Sequence, residues 1–369
     1  MKRMKRVLCL LLCLAMAFPL AACSKEEGQQ GGSDVNQPGE EKNPAENNDG
    51  SADKEGEPAD GDAELSEEEA MKLEPAYGTE LHYMMGSGCT AGPAVAELKG
   101  YYEELGLNVK GVKADSDVEA LGTGQVEINV GHIAKQFVPA TNGVDIVFVG
   151  GAHSGCKTLF VLADSPYQTL EDLKGTKVST PNGIGKSDYN ITARLFIADG
   201  IDPLNDVELT PVENDACVPA MQNGEISAAL LSDTYAWSMV NDGLLRPIRS
   251  MLDEDLNQLC CVITMNGTFV KNNPIHAKKL VEAVKKAHRW MADNVEEATD
   301  FMLENNLNSG DRQMNIDQND KQQFGPDDSF AESQLRLIAE DYLEYGLMTT
   351  TDDVDTIMEK YWMPLAPEA

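Results

Sequence analysis

Between Glu80 and Ile248, short apolar runs alternate with segments whose apolar residues recur every three or four positions. The two periods separate strands from helices. Residues 80–85 read as a strand. Residues 93–105 read as a helix, with Val95, Leu98, Tyr102 and Leu105 on one face and Pro93 at a tolerated first position. Gly106 is placed to close that helix in a left-handed conformation. Strand 107–112, helix 117–121, strand 126–130, helix 132–141 and strand 145–149 follow. The loop "GGAHSGC" (150–156) comes next, then strand 158–163. A second set begins with a short helix at 170–175 and a strand at 177–179. Helix 186–199, strand 207–211, helix 218–223, strand 226–231, helix 234–241 and strand 245–248 complete it. Residues 260–264 read as a strand returning to the first set. Helices are expected at 274–294 and 296–305, then a polar loop, then helices at 330–345 and 354–361. Strands and helices alternating at these lengths predict an α/β fold with largely parallel sheets.

The N-terminus has a different pattern. Lys2, Arg3, Lys5 and Arg6 precede an apolar run from Val7 to Leu20 and then "LAAC". A basic head, a short apolar core and small residues describe a secretory signal at residues 1–22. The run is too short to span a bilayer in the mature protein. "LAAC" resembles the bacterial lipobox, which implies that Cys23 carries lipid and holds the chain on the extracytoplasmic face of the membrane. Residues 23–74 are rich in Gly, Asn, Pro, Ser and acid, and are expected to form a disordered acidic tether. With a signal of net +4 and a tether of net −13 set aside, the −33 of the whole chain leaves −24 on the folded part. Such a surface argues against a nucleic-acid partner.

Of eight cysteines, Cys9 and Cys13 leave with the signal and Cys23 takes lipid. Cys89, Cys156, Cys217, Cys260 and Cys261 remain. There is no CxxC pair, so neither a zinc ribbon nor a thioredoxin motif is available. In the adjacent pair Cys260-Cys261, one residue is expected in the core and the other at the surface. His276 and His288 are expected on the solvated face of a helix.

"GPAVAELKGYYEELGLNV" resembles the opening of the nitrate/sulfonate/taurine and thiamine-precursor group of solute-binding proteins. "GTGQVEINVG", "SPYQTLEDLKGTKVSTPNGIG" and "VPAMQNGEISAALLSDTYA" resemble later family segments, in family order. Glu127 and Ser227 stand where that family usually has Asp. The resemblance implies a type II periplasmic-binding-protein fold, with two α/β lobes joined by a two-segment hinge. Crossovers are expected near residues 163–175 and 250–258. Residues 75–170 then form the first part of lobe 1, 171–252 lobe 2, and 253–369 the rest of lobe 1 with the C-terminal helices. The resemblance also implies a monomer that captures a small solute in the interlobe cleft for an ABC permease, with no cofactor. A sulfonate, a carboxylate and a thiamine-precursor-like heterocycle are the solute classes it suggests.

In open α/β sheets, ligands sit beyond the carboxyl ends of strands. The loop "GSGCTAG" (86–92) therefore offers Ser87, Gly88, Cys89 and Thr90 at a helix start, where small residues would let an acceptor approach backbone N–H groups. A plain tight turn is the alternative. His132 follows the third strand, and His153, Ser154 and Cys156 lie in the loop after the fourth. From lobe 2, Asn182, Ser187 and Tyr189 precede or open a helix, and Asp233 and Tyr235 follow a strand. N-capping by Ser187, Asp188 or Asp233 would be a purely local role, and Trp237 fits either the core or the cleft. Cys89, His132, His153 and Cys156 fit three arrangements: a loose polar lining, a Cys89–Cys156 disulfide, or a bound metal or haem-like group. Function thus divides among a solute-binding protein, a Cys/His metal or tetrapyrrole carrier, and an enzyme of the thiamine-pyrimidine-synthesis type.

Overall fold

A computed structural model describes residues 65–366. The expected signal peptide, Cys23 and the expected tether up to residue 64 lie outside the described residues. Two five-stranded sheets carry the fold. The first holds β1 (Leu81–Met84), β2 (Val109–Val112), β3 (Ile128–His132), β4 (Ile146–Ser154) and β10 (Leu259–Asn266), in the order β2-β1-β3-β10-β4. The second holds β5 (Lys157–Leu162), β6 (Lys177–Ser179), β7 (Glu208–Thr210), β8 (Ala228–Ser232) and β9 (Leu245–Ser250), in the order β7-β6-β8-β5-β9. Each sheet has one antiparallel strand, β10 or β5, and in each case it is the strand entering from the other lobe. This is the type II periplasmic-binding-protein arrangement, with two α/β lobes joined by a two-segment hinge.

The second crossover, between β9 and β10, lies where the sequence places it. The first does not. β5 pairs with β8 and β9, so the chain changes lobes at Gly155-Cys156 rather than at residues 163–175. The expected loop 150–156 is the reason for the error. All nine residues of β4 are buried, including Gly150, Gly151, His153 and Ser154. A Cβ on Gly150 would stand 2.9 Å from Lys285 Cε, and one on Gly151 2.8 Å from Pro326 Cγ. These glycines therefore mark close approach within a strand, not a turn.

Other differences have equally local causes. The helix expected at 93–105 is two pieces, Gly92–Leu98 and Tyr101–Glu104, broken at Gly100 with φ +74°. The expected polar loop contains the helix Arg312–Lys321, capped by Asp311, which accepts from the Met314 N–H at 3.0 Å. That helix has no apolar stripe to read. It is held instead by polar contacts such as Asn319 Nδ2 donating to Thr299 Oγ1 at 2.9 Å.

The tether is ordered from residue 65 onward, contrary to expectation. Ser66 and Glu69 form a capping box on the helix Glu67–Met71. Glu74 accepts from the Ile275 and His276 N–H groups at 2.6 and 3.0 Å, closing the start of the helix Pro274–Asp293. That helix buries Ala277, Leu280, Val281, Val284, Ala287 and Met291 along one stripe. His276 and His288 lie inside, not on a solvated face: His276 Nδ1 is 2.5 Å from Glu74 Oε2, and His288 is fully buried. No helix among the described residues is long and apolar enough to cross a membrane.

Candidate functional site between the lobes

Sulfur and imidazole converge at the carboxyl ends of lobe 1's parallel strands. His132 ends β3, His153 lies near the end of β4, and Cys156 follows it in the crossover. β10 runs antiparallel, so its first residues reach the same edge. Cys261 pairs with His132 on one side and His153 on the other. Neighbouring residues of a regular strand face opposite ways. Here the β10–β4 register shifts on both sides of Cys261, and such a bulge re-aims side chains. Cys260 and Cys261 are both buried, not split between core and surface, and both join the cluster. Cys89 reaches it from the turn Gly88–Thr90 after β1.

His132 Nδ1 lies 3.1 Å from Cys260 Sγ and 3.6 Å from Cys261 Sγ. Cys156 Sγ is 3.2 Å from Cys260 Sγ. The six residues form two trios, Cys89–His153–Cys261 and His132–Cys156–Cys260, and the ligating atoms of each lie within 4.8 Å of one another. Hydrogen bonds from the Cys156 and Cys261 thiols, aided by His153, hold the Cys89 thiol well below its ordinary range despite burial. Cys260 is lowered in the same way by Cys156, Cys261 and His132. Burial alone would lower His153, but Cys89, Cys260 and the Ser154 carbonyl together push the imidazole up to about 9. His153 Nδ1 faces the Ser154 and Gly155 carbonyls, each at 3.1 Å, so this nitrogen carries the proton as donor. Nε2 is left buried without a partner.

The turn that supplies Cys89 uses its small residues for packing. A Cβ on Gly92 would fall 2.1 Å from His288 Nε2, and one on Gly86 2.5 Å from the Thr90 carbonyl oxygen. Some of the loop's N–H groups are also occupied. Gly88 donates to the Leu307 carbonyl at 2.8 Å, and Ala91 to Gly88 at 3.1 Å. Thr90 Oγ1 turns back to the Ser87 carbonyl at 3.1 Å, and Ser87 is exposed. Of this loop, Cys89 alone belongs to the cluster.

Lobe 2 brings oxygen and nitrogen to the opposite side. Lys157 Nζ pairs with the buried Asp188 Oδ1 at 2.6 Å. Burial alone would lower the Lys157 ammonium, but Asp188 and the nearby Cys156 and Cys260 raise it. Asn182, itself exposed, donates its backbone N–H at 3.3 Å and its side-chain amide to Asp188. Ser187 opens the helix Ser187–Ala198 and is buried, but neither it nor Asp188 caps it; Lys186 holds that position. Asp233 lines a neighbouring hollow of about 530 Å³ with Thr158, Trp237, Gln318 and Lys321. Burial pushes its carboxyl up, against the pull of Thr158 and Lys321. Ser232 caps the helix Asp233–Asn241 in its place. Tyr189 lines a separate hollow with Ile184 and Leu347, and Tyr235 donates to Asp215 at 3.1 Å.

The lobes are shut. Asn190 Nδ2 donates to the Ala134 carbonyl at 2.9 Å, Arg194 Nε to Asp341 at 2.7 Å, and Trp237 Nε1 to Asp317 at 3.0 Å. Each joins a lobe 2 helix to an element of lobe 1. The space left beside Cys260, between Ala134, Ile191 and Met251, is about 10 Å³. The structure thus assembles Cys89, His132, His153 and Cys156, with Ser154 adjacent, from the residues that sequence singles out. It adds Cys260, Cys261, Lys157, Asp188 and His288. The dipeptide Cys260-Cys261 was a visible signal, but the bulge that turns both side chains inward was not.

A protein of Escherichia coli named as an aliphatic sulfonates-binding protein is 31% identical over 147 residues, 38% of this chain and 43% of that relative. A protein of Brucella abortus named as a binding protein is 24% identical over 218 residues, 56% of this chain, and the match spans 65% of the relative's length. The crystal structure of the periplasmic aliphatic sulphonate binding protein from Escherichia coli superposes with a TM-score of 0.62 at 18% identity, covering 79% of this chain and 93% of that one. The model of the NMT1/THI5-like family matches residues 90–298, more than half of the sequence, and the chain belongs to that family.

Proposed function

We propose that the chain is an extracytoplasmic, lipid-anchored solute-binding protein that shuts two lobes over a small guest and hands it to an ABC importer. The observation that carries this reading is the buried set of ligand-type side chains at the strand ends of lobe 1. Lobe 2 closes over it through contacts available only when the hinge is shut. The family, the sulfonate-binding relative and the signal with its lipobox all support it. The chain acts as a monomer, anchored through Cys23, without turnover of its guest. Against an enzyme stands the engagement of two candidate bases: His132 faces Cys260, and Asp188 holds Lys157.

The test is to purify the full chain, denature it, and identify what it releases by organic and elemental mass spectrometry. A chemically unchanged guest is expected. A guest converted to product on incubation would overturn the reading. The chemistry of the cluster favours a metal-carrying form of the same function.

A further inference from the structure

We propose that the guest is a pair of thiophilic metal ions, one held by Cys89, His153 and Cys261 and the other by His132, Cys156 and Cys260. This rests on the reading of the chain as a solute-binding protein. Four sulfurs and two imidazole nitrogens meet in one buried space, and neither trio contains a carboxylate. Such donors select soft or borderline ions over magnesium and calcium. The Lys157 ammonium beside Cys156 and Cys260 is already held by Asp188 at 2.6 Å.

The spacing fits single ions. A tetrahedral site with metal–sulfur bonds of about 2.3 Å separates its sulfurs by about 3.8 Å. The Cys156–Cys260 separation of 3.2 Å reaches that with a shift of a few tenths of an ångström. A metal–sulfide cube needs its cysteine sulfurs much farther apart. His153 is also placed as a ligand: its Nδ1–H is fixed on two backbone carbonyls, so Nε2 is the nitrogen left for a metal, which would displace the proton it carries. The bulge at Cys261 brings two adjacent thiols to one side, which packing alone does not require.

Charge and protons balance without any redox step. Each divalent ion displaces two protons to solvent from its trio of two cysteines and one imidazole, and binds two thiolates and one neutral imidazole. Two such ions offset the four thiolate charges. Cys156 and Cys261 both contact Cys89 and Cys260, so either sulfur can supply a fourth ligand across the pair.

The experiment titrates the full chain, reduced and in detergent, with zinc, and with magnesium as the control. Metal is counted by elemental analysis, thiols by alkylation, and lobe closure by small-angle scattering. The expected result is about two zinc ions and four protons released per chain, no magnesium, and a more compact particle. Cobalt in place of zinc should show a sulfur-to-cobalt charge-transfer band. Cys260→Ser and Cys261→Ser should each lose one ion or both. Cys217→Ser, at a buried thiol of lobe 2 outside the cluster, should lose neither. Circular dichroism of each variant separates lost ligands from lost fold. Zinc uptake below one ion with all thiols free, uptake untouched by the Cys260 and Cys261 changes, or a native Cys156–Cys260 disulfide would each overturn the proposal. Closure on an aliphatic sulfonate with no metal uptake would sink the metal guest and leave the solute-binding reading standing. Two bound ions without closure would leave a metal site but remove its role as cargo.

Discussion

The two lobes share one topology and use it in opposite ways. Each sheet has the same strand order and receives one antiparallel strand from its neighbour. At the matching edge, lobe 2 places Lys157, Asp188 and Asn182 in an internally paired network. Lobe 1 places four thiols and three imidazoles there, and leaves His153 Nε2 and both nitrogens of His288 without partners. Buried polar atoms are normally satisfied, because leaving one unmade costs roughly 1–3 kcal/mol. The charged groups of lobe 2's edge are paired with each other, although Thr180 Oγ1 there is also buried without a partner. On the proposed function, lobe 1's edge is the one that a bound guest would complete.

The largest expected effect breaks the satisfied side. Lys157→Ala should destabilise the protein by about 3–5 kcal/mol, because Asp188 would remain buried and unpaired. Converting both partners to Met and Leu should cost much less. Denaturant midpoints at constant slope would measure both. A single variant no worse than the double would mean that the pair is not a buried unit.

The second effect concerns the unsatisfied side. His288 is held at about 3, chiefly by burial, then by the charge of His153, with Cys89 opposing and Arg289 assisting. Between pH about 6.5 and 3, the unfolded chain takes up a proton that the folded chain refuses. This residue's contribution to stability is therefore whole above that range and is lost as pH falls. The slope is up to about 1.4 kcal/mol per pH unit. His288→Leu should remove that slope, gaining about 2–3 kcal/mol on the wild type by pH 4.5. Parallel stability profiles for the two proteins would show that His288 is not buried in its neutral form.

The contrast between the lobes was only half legible in the sequence. Strand and helix order followed from apolar periodicity, and the second crossover fell where expected. The first crossover was displaced because Gly150-Gly151 mimics a turn, while in the fold these glycines make room for Lys285 and Pro326. Cys89, His132, His153 and Cys156 could be chosen because each follows a predicted strand. Cys260 and Cys261 could not, since a two-residue alternation sends one of them outward and a bulge is not a periodic feature. Asp188 looked like a helix cap, and nothing local told of Lys157 arriving from the other side of the crossover. His288 is far from the site in sequence and meets it through Gly92 and Phe324.

That junction yields the third prediction. Gly92→Ala would set a methyl group 2.1 Å from His288 Nε2, against a ring confined between Gly92 and Phe324. The expected loss is about 1–3 kcal/mol from overpacking. The double variant Gly92→Ala/His288→Leu should recover most of it. A failure to recover would place the strain in the Gly92 backbone, not at the cluster.

The smallest effect tests whether the two edges are joined by a latch. Trp237 Nε1 donates to Asp317 at 3.0 Å, linking the lobe 2 helix Asp233–Asn241 to the helix Arg312–Lys321. Gln313 and then Trp237 hold the Asp317 carboxyl below its usual range, so the acceptor is ionised at neutral pH. Trp237→Phe keeps much of the apolar ring and deletes the donor. Losing this one bond should raise the open fraction about two- to tenfold. Neither lobe's core touches this bond, and global stability should hold to within about 0.5 kcal/mol. Hydrogen exchange separates the two quantities: amides of the helix Arg312–Lys321 should exchange faster while those of β4 and β10 keep their protection. Equal loss of protection in all three would mean that the bond stabilises the whole fold, and the closed state would then need another origin, with Arg194–Asp341 the next contact to remove.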